Sequence, residues 1–516
     1  MSAADVITPT AEHPSPIEEK PVVTSRSDSE LDVQAPRKRK LGELGPVAMI
    51  FACGTALFSD GYINASAGPV NTMLRRIYAD YPHVSQAASL FSSLAFAGTV
   101  VGMLVFGVLS DRIGRKFGMI FCSLWLTLFS ILIAGAWGAG GSTGGLFAAL
   151  QAYRFLLGIG IGGEYPSGSV ASAESTEAKG VNPKRTQSLF ILATNTAIDF
   201  GFVIAPLVTA ILLEIFGERH LVWVWRLTLG LGAIPPALVL FFRFRMQEPA
   251  QYKRGAIRHK LPWGLILRKY WVRLTAVSIA WFCYDWVSYP AGLLSSLFLS
   301  GLVGDSLQKS LWWSVVINLF YIPGTLIGAY VSDRLGPKYT FITALLVQAA
   351  FGFGLAGGFP HLRNNLAGII ILYGCFVAAG EAGPGNNLGL LASKAVAPTA
   401  VRGQFYGIAA AIGKVGAFTG TYAFTAIQSS VSGGNTDADI AYETPFYIGA
   451  GLALVSAAIV YLFIPPVTHD GMARLDAEFE AYLAEHGYDM SLMGLKDAAA
   501  DSEAAPVRES DEKASR

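Results

Sequence analysis

Twelve stretches of this chain are each apolar over about 20 residues, the length an α-helix needs to cross a bilayer. They fall at roughly 47–67, 88–109, 117–138, 145–173, 187–213 and 223–244, then at 272–299, 308–331, 338–358, 366–392, 403–428 and 444–464. Lipid offers no hydrogen bonds to a bare backbone, so runs of this kind must be helical where they span. The expected fold class is therefore all-α integral membrane, with twelve transmembrane helices in two six-helix bundles. The bundles are expected over residues 46–245 and 271–466, with a cytoplasmic linker over 246–270. Residues 1–45, rich in Pro, Ser and Glu, read as a disordered tail. Residues 467–516 read as a second tail with a short amphipathic helix, because Met472, Leu475, Phe479, Tyr482 and Leu483 recur at helical spacing.

Composition agrees with a polytopic membrane protein: 52% of the residues are hydrophobic and only 15% charged. The net charge of +1 gives no reason to expect a nucleic-acid partner, because the bases sit in short clusters between apolar runs. Those clusters orient the chain. Arg37–Lys40, Arg112/Arg115/Lys116, Lys179/Lys184/Arg185, the central linker and Arg334/Lys338 all fall on one side, which the excess of Lys and Arg marks as cytoplasmic. Both termini are expected there, in a multi-pass protein of the plasma membrane. Cys53, Cys122, Cys283 and Cys375 lie within apolar runs and read as packing residues.

Charge inside the apolar runs is what points to a function. A carboxylate at mid-membrane costs on the order of 2.5–3.5 kcal/mol even on insertion scales, so it normally faces a protein interior or a watery path. Residues 151–174 carry Glu164 near the middle and Glu174 at one end, among glycines that let neighbouring backbones approach closely. Asp60, Asp199, Asp285 and Glu381 lie in other spans, with Lys414 as the one notable internal base. Trp281, Asp285 and Tyr289 stand at i, i+4 and i+8, forming a single stripe. Asp60 shares a face with Asn64, and Asn195 with Asp199; Asp199 is the weakest functional candidate of the set. Around Glu381, the Pro384 and glycine positions interrupt regular hydrogen bonding, which membranes tolerate only beside a cavity. A lysine with hydroxyls and amides suits an anionic, oxygen-rich ligand such as a phosphate. Burial favours the neutral form of a carboxylic acid, so buried acids exchange protons near neutral pH. An anion and a proton moving together fit these residues. The competing reading of any one acid is a purely structural ion pair.

Three motif matches carry no chemistry. Gly158-x-Gly160-x-x-Gly163 fits a dinucleotide fingerprint but lies inside a span, without a strand before it. Gly140-Gly141-Ser142-Thr143-Gly144 fits a nucleophile elbow but lies in a short loop. Asn64-Ala65-Ser66 is a glycosylation sequon within the first span. No metal-ligand spacing occurs, so no enzyme activity, metal or cofactor is expected.

The two halves repeat each other. Ser110-Asp111-Arg112-Ile113-Gly114-Arg115-Lys116 recurs as Ser332-Asp333-Arg334-Leu335-Gly336-Pro337-Lys338, each just after the second span of its half. With Gly107, the first copy resembles the signature of the major facilitator superfamily. That resemblance implies an alternating-access carrier in which Asp111, Arg112, Arg115, Glu174, Arg185, Asp333, Arg334 and Arg402 act as conformational gates. Glu174 is expected to pair with Arg185, while Lys394 stands where the second half would carry the matching acid.

Asp60, the segment from Arg154 to Glu164-Tyr165-Pro166, and Trp281-x-x-x-Asp285-x-x-x-Tyr289 resemble the phosphate:proton symporter family. That resemblance implies that Asp60, Glu164 and Asp285 handle protons. It implies that Tyr165, Trp281, Asp285, Tyr289, Lys414 and a tenth-span asparagine surround the phosphate, with Asn387 carried over and Asn386 left as its rival. Glu164 in place of Asp, Ile63 in place of a second acid, and Gly-Pro-Gly-Asn-Asn over 383–387 are more similar to the glycerophosphoinositol and glycerophosphocholine permease branch. Glu381 and Asn386 then suit a polyol or choline head beyond the phosphate. The expected function is proton-coupled import of a glycerophosphodiester by a monomer. An inorganic phosphate symporter and a transport-inactive nutrient sensor are the alternatives.

Overall fold

The computed structural model describes residues 45–178, 180–257, 261–293, 295, 298, 306–431, 433, 438–490 and 493. The amino-terminal tail, Lys179 and the chain beyond 493 lie outside the described residues. Among the described residues, ten helices are long and apolar enough to cross a membrane: α1 (Pro46–Ile77), α2 (Val84–Arg112), α3 (Arg115–Ala134), α4 (Thr143–Thr176), α5 (Pro183–Phe216), α6 (Glu218–Phe244), α8 (Leu307–Leu335), α9 (Pro337–Leu362), α10 (Leu366–Val396) and α12 (Asp439–Phe463). Two more, α7 (Trp263–Leu293) and α11 (Arg402–Val431), run for 31 and 30 residues. At about 1.5 Å per residue each exceeds a bilayer's apolar thickness. These two carry Asp285 and Lys414. A thirteenth helix, α13 (Gly471–Glu485), follows the last span.

Helix α7 starts at Trp263, inside the stretch expected as linker. Arg268, Lys269 and Arg273 keep that first section polar, and hydropathy marks where a helix turns apolar rather than where it begins. Large apolar residues such as Leu124, Ile131, Leu238, Phe241, Ile327 and Leu462 point outward, as a lipid-facing surface requires. The bundles α1–α6 and α7–α12 meet where α2 packs on α11 and α5 packs on α8.

Glycine sets how closely the helices cross. Gly98 and Gly102 of α2 face Gly158 and Gly162 of α4 as two small-x-x-x-small stripes. A methyl on Gly158 would collide with the Ala95 carbonyl, and one on Gly98 with the Phe155 carbonyl. Across the second bundle, Gly413, Gly416 and Gly420 of α11 seat against Trp281, Phe282 and Trp286 of α7. That contact brings Lys414 and Asp285 to the same depth.

Two helices lose their regular winding where they face the centre. In α4 a π-helical turn covers Tyr165–Ser169, and in α10 two such turns cover Glu381–Gly385 and Ala392–Val396. Pro166 and Pro384 lack the amide hydrogen that would continue the α-helical ladder.

Gly158→Val is expected to destabilise the protein by about 1–3 kcal/mol or more, because backbone sits where the branch must go. Gly354→Ala, with open space around its new methyl, should leave stability unchanged or slightly raised. Thermal unfolding of the detergent-solubilised protein checks both.

Candidate functional site

A cavity opens between the bundles. Its wall includes Tyr165, Trp281, Asp285, Tyr289 and Lys414. The Lys414 ammonium lies 3.3 Å from Asp285 Oδ2, and it donates to the Tyr289 hydroxyl. It also sits over the Tyr165 ring, 5.2 Å from the centroid. The Trp281 ring closes the floor, edge-on to Tyr406 at 5.6 Å. One cation thus faces the cavity from α11, with an acid, two phenols and an indole around it. Such a set can receive an anionic oxygen by displacing Asp285 from the ammonium.

Asp60 reaches this site through Tyr165. The Tyr165 hydroxyl donates to Asp60 Oδ2, and Asn64 Nδ2 donates to the other oxygen at 2.5 Å. Glu164, one residue before Tyr165, faces the opposite way and lines no part of the cavity. Arg243 of α6 holds both its oxygens, Nη1 on Oε1 at 2.5 Å and Nη2 on Oε2 at 2.7 Å. The same guanidinium donates to the Met119 and Cys53 carbonyls at 2.7 and 3.1 Å. In this conformation Glu164 is a satisfied structural ion pair within the first bundle. Arg243 was missed in the sequence because it stands at the polar edge of the sixth run and reads as a membrane-end base.

On the second bundle, Glu381 lines the cavity and accepts from Tyr284 Oη at 2.7 Å and from Asn195 Nδ2 at 2.9 Å. Asn386 lines it too, accepting from Asn195 at 3.0 Å and from Thr325 at 2.7 Å. Asn387 does not. Its amide is turned to Ser332 and the Gly383 carbonyl, both at 2.8 Å. Neighbouring helical residues point about 100° apart, so only one of the two asparagines can face the site. In this conformation Asn386 is the one turned to the cavity. Asp199, the weakest candidate in the sequence, also lines the cavity, as do Asn195, Tyr284 and Tyr321. The pairing of Asn195 with Asp199 was legible as spacing; their facing Glu381 needed the bundle interface.

The two repeated motifs form matching contacts at one end of the molecule. Asp111, at the end of α2, accepts from the Gly403 and Gln404 amides at 2.9 and 2.8 Å, capping α11 of the other bundle. Asp333, at the end of α8, accepts from the Gln187 and Ser188 amides at 3.2 and 3.0 Å, capping α5. Arg115 bonds Asp111 at 2.6 Å and Glu174 at 3.1 Å. Glu174 also binds Arg402 of the second bundle at 3.2 Å. The expected Glu174–Arg185 pair is therefore absent: Arg185 is exposed, while two fully buried guanidiniums take the carboxylate. Arg112 and Arg334 are exposed as well, the latter stacked on Tyr330. Lys394 meets Glu177 at 3.5 Å, which supplies the acid missing from its own half. Glu248, just outside α6, caps the start of α3 through the Arg115 and Lys116 amides, both at 3.1 Å; burial raises its carboxyl above the ordinary range, against those bonds.

Helix α13 locks onto this network rather than lying on lipid. Met472, Leu475, Phe479 and Leu483 are buried, and Asp476 binds Thr399 N at 2.6 Å and Arg402 at 3.3 Å. Glu177 accepts from the Met472 and Ala473 amides at 3.2 and 3.1 Å, so both bundles hold the helix.

Known proteins share this plan. The profile of the family described as sugar (and other) transporter matches residues 47–261 and 268–479. The chain is 41% identical to the major glycerophosphoinositol permease of Candida albicans over 86% of its own length and 83% of that protein's. It is 42% identical to a glycerophosphocholine permease of the same organism, with the same coverage. The proton:xylose symporter XylE is similar in structure at a TM-score of 0.71 and 17% identity, covering 84% of this chain and 98% of that one, which speaks to the fold.

Removing Arg243 leaves a buried carboxylate without its partner. Arg243→Ala is expected to cost about 3–5 kcal/mol, and adding Glu164→Gln should restore part of it. Thermal unfolding of the two variants decides; a double variant no more stable than the single one would contradict the pairing.

Proposed function

As the chain belongs to the sugar (and other) transporter family of the major facilitator superfamily, in its glycerophosphodiester permease branch, we propose that it imports glycerophosphodiesters such as glycerophosphoinositol or glycerophosphocholine together with protons. It is a multi-pass membrane transporter and not an enzyme. The observation that carries the substrate reading is the Lys414 ammonium on the cavity wall, held by Asp285 and Tyr289. A phosphodiester is a monoanion with two free oxygens, and a lysine point charge flanked by phenols suits it. The Asn386, Glu381 and Asn195 side chains, across the cavity on α10 and α5, suit the hydroxyls or ammonium of the head.

Proton coupling follows from competition for Lys414. A negative Asp285 neutralises the ammonium and repels an incoming phosphate, so a proton on Asp285 leaves the charge of Lys414 for the anion, and the two binding events favour each other. Asp60, wired to the cavity by Tyr165, is the proposed way in for protons, with Trp281 and Tyr289 fixing the anion's position. Glu164 acts in the cycle only if Arg243 releases it. The motif end is proposed to be cytoplasmic, in the plasma membrane, with both termini on that side and the carrier working as a monomer. Asp111, Asp333, Arg115, Glu174 and Arg402 then form the inner gate, closed in this conformation. Its opening exchanges these bonds for water as the bundles rock.

Lys414→Ala is expected to lower glycerophosphoinositol affinity by about 10–100-fold, the loss of one charge-assisted bond of roughly 1.5–3 kcal/mol. Binding to the purified variant, with gel filtration as a control for folding, tests this; normal affinity would remove the lysine from the site. Stronger competition by inorganic phosphate than by glycerophosphodiesters would favour a phosphate symporter, and absence of flux in the wild type would favour the sensor.

A further inference from the structure

The cavity holds three carboxyls, Asp199, Asp285 and Glu381, against the single ammonium of Lys414, a formal balance of −2 before any anion arrives. Lys414 is taken by Asp285. Among the described residues no lysine, arginine or histidine forms an ion pair with Asp199 or Glu381, although both are buried. Instead the two carboxyls converge on one amide. Asn195 Nδ2 donates to both, to Asp199 Oδ2 at 3.3 Å and to Glu381 Oε2 at 2.9 Å. An ionised carboxylate is an acceptor only, so two of them gathered on one amide with no cation on either repel each other, and a single proton held between them relieves that repulsion.

We propose that Asp199 and Glu381 share one proton across the bundle interface and form a binding site for a co-transported proton. Asp199 belongs to α5 in the first bundle and Glu381 to the π-turn of α10 in the second, so this proton is a bond between the two moving bodies. The groups facing the pair agree with that role. Tyr284 on α7 donates to Glu381 Oε1 at 2.7 Å, and Thr325 on α8 donates to the neighbouring Asn386 at 2.7 Å. Tyr321 of α8, and Asp285 and Tyr289 of α7, lie near enough to act on the pair electrostatically. Lys414 of α11 lines the same cavity as Glu381. Glu164 is less suited, since Arg243 binds both its oxygens away from the cavity.

The site works by simple charge arithmetic. With the proton in place the pair carries one negative charge and ties α5 to α10. When the proton leaves to water, two carboxylates remain on one amide, and their repulsion separates the bundles. The proton comes from the water on the side that loads the carrier and returns to water on the other side, with no other reactant. The inference rests on the proposed transport function for its coupling role, but the shared proton itself does not.

Two measurements test it on the full-length protein. Infrared titration from about pH 5 to 9 should show a protonated carboxylic C=O band in the wild type that Asp199→Asn removes. Glu381→Gln should remove the same band, which keeps the test decisive if either variant folds poorly. In proteoliposomes, the protons carried per glycerophosphodiester, read from a pH-sensitive dye, should fall by one in each variant. A band that survives both substitutions, or an unchanged proton ratio, overturns the proposal. A wild type that carries no glycerophosphodiester removes the proposed function, while the infrared band still decides the shared proton.

Discussion

A lysine ammonium in the centre of a membrane protein is the constraint from which this structure is organised. Lys414 is almost fully buried, and an ion of that kind persists in apolar surroundings only with a partner and hydrogen bonds. Asp285 and Tyr289 supply them from the neighbouring helix, and the glycine stripe of α11 lets the two backbones come close enough. The same rule explains the other deep charges. Arg243 and Glu164 satisfy each other, and Arg154 donates to the Phe91 and Ile63 carbonyls at 3.2 and 2.7 Å over the Phe91 ring. Only where the cavity needs a charge to be available are partners weak enough to exchange.

The ends of the helices show the other half of the design. Each bundle extends an acid, Asp111 or Asp333, to the first amides of a helix in the other bundle. Those bonds join helix dipoles to carboxylates, and each is individually modest. Arg115 beside Asp111, the Glu174–Arg402 pair and the docked α13 add to a closure held by many small terms. The cavity in the middle and the bonded end together suit one state of the proposed alternating-access cycle.

Much of this was legible in the sequence, for a physical reason. Hydropathy and length report which segments must be helical in lipid, and the i, i+4, i+8 stripe of Trp281, Asp285 and Tyr289 reports a shared face without knowledge of any neighbour. The Pro and Gly positions around Glu381 signalled irregular backbone for the same local reason. What a single sequence does not show is what depends on the partner helix. The Arg243 that holds Glu164 is 79 residues away. Glu174 was matched to Arg185 by proximity in the chain, while its actual partners, Arg115 and Arg402, are brought in by the fold. The choice between Asn386 and Asn387 depends on which of them the fold turns to the cavity, and Asp199 was undervalued because its neighbour, Glu381, sits on the other bundle.

The most direct measurement of the central claim is concentrative uptake of glycerophosphoinositol by the purified protein in liposomes, with and without an imposed inward proton gradient. Accumulation above equilibrium that collapses when a protonophore dissipates the gradient is the predicted result. Uptake that only equilibrates, at the same level with or without the gradient, would contradict it.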